Sequence, residues 1–405
     1  LWETRGPPSE MPPLAASEDA RSSGERLGRT ALELLEQPAG TGPPMADRVL
    51  ALRQAATADH RTQLESDGFV FSNWDDQDKI DRPGNGRGSD RERLLEQMQR
   101  SAVAGMAFLD GGGIGRLEES LATGLASLRC QADGAGPRSA GGGQRSAHTD
   151  ALLLALEVIT AVNSPIVSAA LLHGRGASLV CQLIDAARDF TVAHNGMRAL
   201  FALLRNASPA EYASALGERA LRPVLSVAGA IFFDALQDDV LDFSCLDTLC
   251  ALVTLIAGGS ADLARLVGTL SARGVRHVVP TSLCIILTQH SHEQQAGRFA
   301  PRHPLGNQQH MAPINLALEA LYTISLHFDL RAVRIGGGGD VDESFDEALG
   351  EYTDWLHGFV HHQARSKYTQ AYLARLVAFS PRGAPPMDPQ PRPIETEAEQ
   401  TRRLM

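Results

Sequence analysis

The chain has 405 residues, 43% of them hydrophobic and 21% charged, so it is long and apolar enough to bury a sizeable core. Its formal net charge is −11, and only 5% of its residues are aromatic. Because proteins that bind nucleic acid usually present broad basic surfaces, this composition excludes nucleic acid as the expected partner.

The cysteines indicate a reducing compartment. There are five, an odd number, and most of them stand in apolar sequence typical of helices: Cys130, Cys181, Cys245, Cys250 and Cys284. We interpret them as reduced core thiols and expect a cytoplasmic protein, because disulfides are rare in the cytosol. The first residues lack the basic-then-apolar pattern of a signal peptide. Since the chain begins at Leu1 and not at a methionine, we expect a fragment of a larger protein.

Residues 1–45 are predicted to be disordered. They contain the proline-rich stretches GPPSEMPPL and PAGTGPP, with only a short helix-capable patch near residues 27–35. Residues 46–89 are predicted to form a helix followed by a polar linker. The linker prediction rests on the stretch FSNWDDQDKIDRPGNGRGSD, which is rich in turn-forming residues.

Helical periodicity begins after this linker, and residues 90–330 form the principal predicted domain. Ser89 and Glu92 make a capping box that opens one helix. A second helix repeats apolar residues on one face from Ile114 to Leu128. The next stretch, 130–147, is rich in Gly and Ser and is predicted to be a loop.

The most apolar stretch, residues 151–172, reads ALLLALEVITAVNSPIVSAALL and has roughly the length of a membrane span. It contains Glu157, however, and Asn163, Ser164 and Pro165 interrupt it. Asn favours the left-handed conformation after a helix, Ser caps N-termini, and Pro suits the first helical position. We therefore predict two packed helices and no integral membrane insertion. A strand is excluded because the apolar spacing is three and four, not two.

An order of short, middle and long helices then recurs three times, which is typical of helical-repeat proteins. The short helices are predicted to begin at Ser164-Pro165, Ser208-Pro209 and Ser260. The middle helices are predicted at residues 177–188, 221–231 and 275–288, and the long third helices at 192–205, 246–256 and 314–327.

The third helices share the pattern A-L-x-x-[IL]. Its leucines are Leu156, Leu200, Leu252 and Leu321, at intervals of 44, 52 and 69 residues. The longest interval contains a predicted insertion, residues 289–312. The small Ala allows neighbouring helices to approach closely, while Leu and Ile fill the layer between them. Four matches at corresponding places indicate a repeated structural unit.

This pattern resembles the armadillo family. That family places Gly, a small or apolar residue and a Leu-Val pair before its second helix. Residues 176–180 read GASLV, and residues 220–225 and 274–279 are partial matches. The resemblance covers residues 90–330. It implies an all-α, armadillo-like right-handed α-solenoid whose third helices line a concave face for protein partners.

One departure from the family bears on function. Armadillo proteins of the importin-α and β-catenin type carry Asn in the third helix, where its amide grips the backbone of an extended peptide. The corresponding residues here are Val158, Ala202, Thr254 and Thr323, none of which can make the paired contacts of an amide. We therefore do not predict the peptide-binding subtype.

Polar residues on the third helices are the candidate partner contacts. They are Asn195, Arg198, Arg205, Glu157 and Glu319. Glu157 and Arg205 are equally well explained as solvated edges of their helices.

Beyond the repeats, residues 331–380 are predicted to be helices that cap the open end of the stack, after IGGGGD interrupts the pattern. The alternative is a helix that docks onto another part of a larger chain. Residues 381–405 contain PRGAPPMDPQPRP and are predicted to be a disordered tail.

No motif predicts catalysis or a cofactor. The glycine runs lack the Lys-Ser or Lys-Thr of a phosphate-binding loop. The histidines of the insertion are His290, His292, His303 and His310. Their spacing matches no familiar zinc module, so no metal site is predicted.

Together these features predict a non-catalytic protein–protein interaction scaffold, the helical-repeat region of a larger regulatory protein. One alternative is an all-helical metal-dependent enzyme that uses the histidines of the insertion. Another is a region of a regulator of membrane trafficking or of the cytoskeleton.

Overall fold

The structure is a computed structural model that describes residues 18–37, 44–56, 87–132, 147–237, 243–295, 312–330, 333–335 and 343–344. This part of the chain contains thirteen α-helices and one antiparallel ladder with two residues in each strand. The prediction of an all-α protein is confirmed for these residues. Residues 57–86 of the linker, 133–146 of the glycine-rich loop and 296–311 of the insertion lie outside them.

An N-terminal pair of helices is followed by four consecutive groups. The pair is α1 (Glu18–Glu36) and α2 (Met45–Ala56), and the first group is α3 (Arg87–Asp110), α4 (Gly113–Ala132) and α5 (Ala147–Val162). The second group is α6 (Pro165–His173), α7 (Gly176–Ala186) and α8 (Phe190–Arg205). The third is α9 (Pro209–Gln237) and α10 (Phe243–Gly259), and the fourth is α11 (Ala261–Thr269), α12 (Val278–Gln295) and α13 (Ala312–Ser325). α9 is two helices in one span, because Gly217 breaks it with a φ of 61°.

The start signals at Ser208 and Ser260 act as caps, whereas Ser89 does not open α3, because that helix already begins at Arg87. The Ser208 hydroxyl accepts a hydrogen bond from the Glu211 backbone N–H at 3.3 Å, and the Glu211 carboxylate accepts one from the Ser208 N–H at 2.7 Å. This pair is a complete capping box. The Ser260 hydroxyl accepts from the Leu263 N–H at 3.1 Å and so caps α11.

The apolar run of residues 151–172 is divided between two helices, as predicted. α5 ends at Val162, Asn163 has a positive φ of 31°, and α6 begins at Pro165. Ser164 occupies the N-cap position, but its hydroxyl makes no capping hydrogen bond, contrary to the prediction. The hydroxyl is buried against Gly105 of α3, where there is no room for a Cβ. Close packing of α3 on this junction therefore buries the Ser164 hydroxyl, which makes no hydrogen bond to a described residue.

Among the described residues, no single helix is both long and apolar enough to cross a membrane. α6 and α7 meet the length and composition criteria only when taken together, and they are bent by 77° at the break between them. Their apolar residues Val167, Leu171, Val180 and Ile184 are buried inside the protein.

Helices that lie two or three places apart in chain order contact one another, in three series. The third helices, with α2 before them, form one series, in which α2 contacts α5, α5 contacts α8, α8 contacts α10 and α10 contacts α13. A second series joins α4, α7, α9 and α12, and a third joins α3, α6, α9 and α11. Leu156, Leu200, Leu252 and Leu321 are completely buried, so the A-L-x-x-[IL] pattern marks core positions.

Helix α1 occupies residues 18–36, inside the segment 1–45 for which the sequence predicts disorder. Leu27, Ala31 and Leu34 recur at spacings of four and three and are buried, and α1 packs along α3. Arg48 of α2 donates a hydrogen bond from Nη2 to the carbonyl oxygen of Leu34 at 2.5 Å. The apolar residues of α1 are few, and proline-rich stretches lie on both sides of the helix. The overall composition of residues 1–45 therefore predicts disorder and does not reveal the helix.

The described C-terminal residues form a small ladder. β1 (Arg334–Ile335) pairs in antiparallel register with β2 (Glu343–Ser344). The sequence predicts a break at IGGGGD but no strand. Two residues in each strand do not change the all-α class of the protein. Within residues 331–380, predicted to be capping helices, the described residues form these two strands and no helix. The rest of that segment and the tail 381–405 lie outside the described residues.

The cysteines are mostly core residues, as predicted. Cys181, Cys250 and Cys284 are buried thiols, and burial raises the pKa of Cys181 to about 12. Cys130, by contrast, is exposed near the end of α4, so the prediction of a core thiol is wrong at this position. The side chain of Cys245 lies outside the described residues.

Candidate functional site

The polar residues predicted to contact a partner lie in three places. Glu157 of α5 lies beside Arg198 and Asn195 of α8. Arg205 ends α8, and Glu319 lies on α13. The structure therefore brings three of the five together.

Glu157 is the centre of a polar cluster that joins α2, α5 and α8. Its Oε1 accepts a hydrogen bond from Arg53 Nε at 2.8 Å, and its Oε2 accepts one from Arg198 Nη1 at 3.4 Å. Arg198 Nη1 also donates to Asn195 Oδ1 at 3.3 Å. The Glu157 side chain is only 8% exposed, so these ion pairs are screened less than pairs on the surface. Glu157 thus links three helices through its hydrogen bonds and offers little surface to a partner.

Five side chains of α8 fall on one side of that helix. At 3.6 residues per turn, Phe190, His194, Arg198, Phe201 and Arg205 lie within an arc of about 80°. The opposite side of α8 is buried in the core. These five residues are the α8 stripe.

Aromatic rings and cations alternate along the α8 stripe. Phe190 is 48% exposed, and its ring stacks on that of His194 with 5.6 Å between the centroids. The Arg205 guanidinium lies over the ring of Phe201, 5.9 Å from its centroid, at the distance of a cation–π interaction. His194, Arg198, Phe201 and Arg205 are partly exposed. The stripe therefore presents apolar rings and positive charge to solvent in a chain of net charge −11.

The sequence predicts Arg198 and Arg205 as contact residues but not the rings between them. Phe190, His194 and Phe201 are missed because an aromatic residue in a helix is most often a core residue. A helical wheel of α8 is the signal that places them beside the arginines.

The positions where an amide would grip a peptide backbone have other roles. Val158 and Ala202 are buried. Thr254 Oγ1 donates to the carbonyl oxygen of Cys250 at 2.8 Å, and Thr323 Oγ1 donates to that of Glu319 at 2.8 Å. Both hydroxyl groups are thus engaged with their own helices, and these four residues form no row of amides.

Glu319 is an almost fully buried carboxyl group, with 7% of the residue exposed. It lies on α13, which packs against α10, α11 and α12. Burial raises the pKa of Glu319 to about 7, because the charged form loses its hydration. The carboxyl group is therefore partly protonated at neutral pH, and its role as a partner contact stays a prediction.

We expect the stability of the protein to fall as the pH rises from 5 to 8. The pKa of Glu319 in the folded state, about 7, lies above its ordinary value of 4.5, so the folded chain holds this proton more tightly than the unfolded chain does. That contribution to stability is complete below pH 4.5 and is lost as the pH rises through 7. Urea unfolding across this pH range should show a decline for the native chain and a flatter profile for Glu319→Gln. Equal slopes for the two proteins would contradict this role.

The histidines of the insertion, His290, His292, His303 and His310, lie outside the residues whose side chains are described. Among the described residues, no three His, Cys, Asp or Glu side chains are placed to hold a metal ion. The metal-dependent alternative therefore has no described site.

A polar cleft of about 440 Å³ lies between the ends of α7 and α11 and the middle of α9. Asp185, Arg222 and Thr269 are among its lining residues, and all three are exposed. The cleft lacks the buried, convergent polar groups that mark a small-molecule site.

Comparison of the chain with models of known families, with curated protein sequences and with solved structures finds no match. Function is therefore inferred from the contacts of the described residues.

Proposed function

We propose that this chain is a non-catalytic protein–protein interaction scaffold of the armadillo-like type, the helical-repeat region of a larger, cytoplasmic regulatory protein. The observation that supports this most directly is the serial contact of the third helices, from α5 through α8 and α10 to α13. Each group of helices packs its apolar faces against its neighbours. Stacks of that kind bury a continuous core and leave an extended surface for partners.

The proposed stack is a right-handed α-solenoid whose concave face is lined by the third helices. Support for binding on this face comes from the α8 stripe, which holds partly exposed rings and arginines on one of these helices. Aromatic residues and arginine are enriched at the centres of protein interfaces. Recognition would rest on these side chains. The positions where the peptide-binding subtype carries Asn are occupied here by Val158, Ala202, Thr254 and Thr323.

Site-specific photo-crosslinking tests where partners bind. A photo-reactive amino acid is placed at Thr160, Phe190 or Thr254 on the third helices, and at Ser178 or Arg222 on the second series. All five positions are at least partly exposed, so the fold tolerates them. We expect discrete partner adducts from the third-helix positions and few from the second series.

The second-series positions are the matched control, because they report random collision with the same chain. Equal crosslinking from both sets would remove the proposal that the third helices form the binding face. A substrate turned over by the purified chain, with loss of turnover on a single substitution, would remove the proposal that the chain is non-catalytic.

A further inference from the structure

We propose that α2 is a detachable end helix, which unfolds and leaves α5 as a unit while α1 and the helices after it stay folded. This inference goes beyond the proposed function, because it concerns how one end of the protein opens. It is carried by the small apolar surface of α2, by a buried arginine that lacks a full set of hydrogen bonds, and by a salt-accessible ion pair with α5.

Helix α2 buries few apolar side chains. It has 12 residues, of which Arg48, Leu52 and Ala55 are buried. Met45 and Val49 are partly buried. An isolated helix of about 12 residues is marginally stable in water, so α2 depends on its neighbours to stay helical. Two buried apolar side chains, one of them an alanine, provide little of the hydrophobic free energy that holds larger helices in place.

Arg48 makes the packing of α2 less favourable. The residue is 6% exposed, and its Nε is buried without a hydrogen-bond acceptor among the described residues. Its Nη2 donates to the carbonyl oxygen of Leu34. Burial lowers the pKa of Arg48 from its ordinary value, and the negative charge of Asp150 on α5 acts in the opposite direction. A buried charge with an unmet donor costs free energy, which is recovered when α2 detaches and Arg48 returns to water.

The ion pair between α2 and α5 is accessible to salt. Arg53 Nε donates to Glu157 Oε1 at 2.8 Å. Although the Glu157 carboxylate is buried, the Arg53 side chain is 48% exposed, so water and ions reach the arginine side of this contact. Ion pairs with an exposed partner contribute little to stability and weaken further as the salt concentration rises. Detachment of α2 therefore becomes easier at high ionic strength.

Helix α1 is held separately, on α3. Cβ atoms at Gly24 and Gly28 would lie 2.6 and 2.7 Å from backbone carbonyl oxygens of α3, so these two helices are in close contact. Leu27 and Ala31 of α1 are buried as well. α2 lies outside this contact and packs mainly on α1 and α5. Its release therefore leaves the contact of α1 with α3 in place.

Detachment of α2 uncovers Glu157 on α5. Its Oε1 loses Arg53, whereas its Oε2 keeps the hydrogen bond from Arg198 Nη1 of α8 at 3.4 Å. α5 is then the first member of the series of third helices, and the side of α5 that packs on α2 becomes open to solvent. On the proposed function, α2 thus controls access to this end of the binding face.

Hydrogen exchange of the full chain, read by mass spectrometry, tests the inference. We expect the slowest amides of α2 to exchange at least about tenfold faster than those of α1 and of the enclosed helix α10, since a detachable helix opens without global unfolding. Raising the NaCl concentration from about 0.1 M to about 1 M should speed exchange of α2 severalfold relative to exchange of α10.

Arginine variants make the test specific to the ion pair. Arg53→Gln should speed exchange of α2 about threefold to tenfold, on the scale of one partly exposed ion pair, without changing exchange of α10. Arg53→Lys keeps the positive charge and should restore most of the protection. Arg29→Gln is the matched control, because Arg29 pairs with Glu25 inside α1 at 2.9 Å, and this substitution should leave exchange of α2 unchanged.

The inference is overturned if α2 exchanges as slowly as α10, at the same rate as α1, or as fast as an unfolded chain. It is also overturned if added salt has no effect on α2, if Arg53→Gln speeds exchange of α2 and α10 equally, or if it has no more effect than Arg29→Gln. None of these results alters the photo-crosslinking test of the proposed scaffold function, which places no probe on α2.

Discussion

Replacing both Gly24 and Gly28 with alanine is expected to destabilise the protein by about 2–4 kcal/mol, although alanine is the better helix former. A Cβ at Gly24 would lie 2.6 Å from the carbonyl oxygen of Arg100, and one at Gly28 would lie 2.7 Å from that of Ala104. These are backbone atoms of α3, so they cannot swing aside and the two helices must separate. Overpacking of about 2–3 kcal/mol at each site outweighs a gain of about 1 kcal/mol in helix propensity.

Urea unfolding gives the change in free energy, and hydrogen exchange locates it in α1 and α3. Gly115→Ala is the matched control, because Gly115 lies in α4 and nothing stands within 4 Å of its Cβ position. That substitution is expected to stabilise the protein by about 0.5–1 kcal/mol. A double variant as stable as this control would show that α1 does not pack closely on α3. The sequence-based prediction that residues 1–45 are disordered would then stand.

Truncating Leu252 to alanine is expected to cost about 2–5 kcal/mol of unfolding free energy, the range found for buried leucines. Leu252 is completely buried on α10, which contacts α8 on one side and α13 on the other. The substitution therefore leaves a cavity beside α10, between α8 and α13. Because the interior is closely packed, α8 and α13 cannot move in to fill this cavity without disturbing their other contacts.

Leu50→Ala provides the comparison for this second substitution. Leu50 lies on α2 and is 53% exposed, so its loss should change the unfolding free energy by no more than about 0.5 kcal/mol. Equal effects of the two substitutions on the urea midpoint would mean that α10 is not enclosed by its neighbours. The proposed stack would then lose the packing of α10 between α8 and α13, on which it depends.

Much of the helical order was predictable because its signals are local. The capping box at Ser208 and Glu211, the cap at Ser260 and the break at Asn163 each involve residues within four positions of one another. Helix α1 was not predictable in this way. Gly24 and Gly28 look like helix breakers until α3 is placed against them, and that contact is tertiary.

In the candidate site, too, the features with local sequence signals were predictable and those that depend on tertiary contacts were not. Arg198 and Arg205 follow from the polarity of one helix, and the rings of the stripe follow from a wheel of that helix. The hydrogen bonds of Glu157 cannot be predicted from a local pattern, because its closest partner, Arg53, is 104 residues away in the sequence. The burial of Glu319 likewise depends on the packing of α10, α11 and α12 around α13, which no local pattern reports.

The N-terminal pair has a practical consequence for anyone shortening the chain. A truncation at residue 90, where the repeat pattern begins, would delete α1 and α2 together. α3 would lose the cover of Leu27 and Ala31, and Glu157 would keep Arg198 but lose Arg53. Ala104 and Phe108 of α3, which are buried beside α1, would then be exposed, and the shortened protein is expected to self-associate through this apolar surface. A chain that begins before residue 18 keeps α1 and α2, so the apolar surface of α3 stays covered.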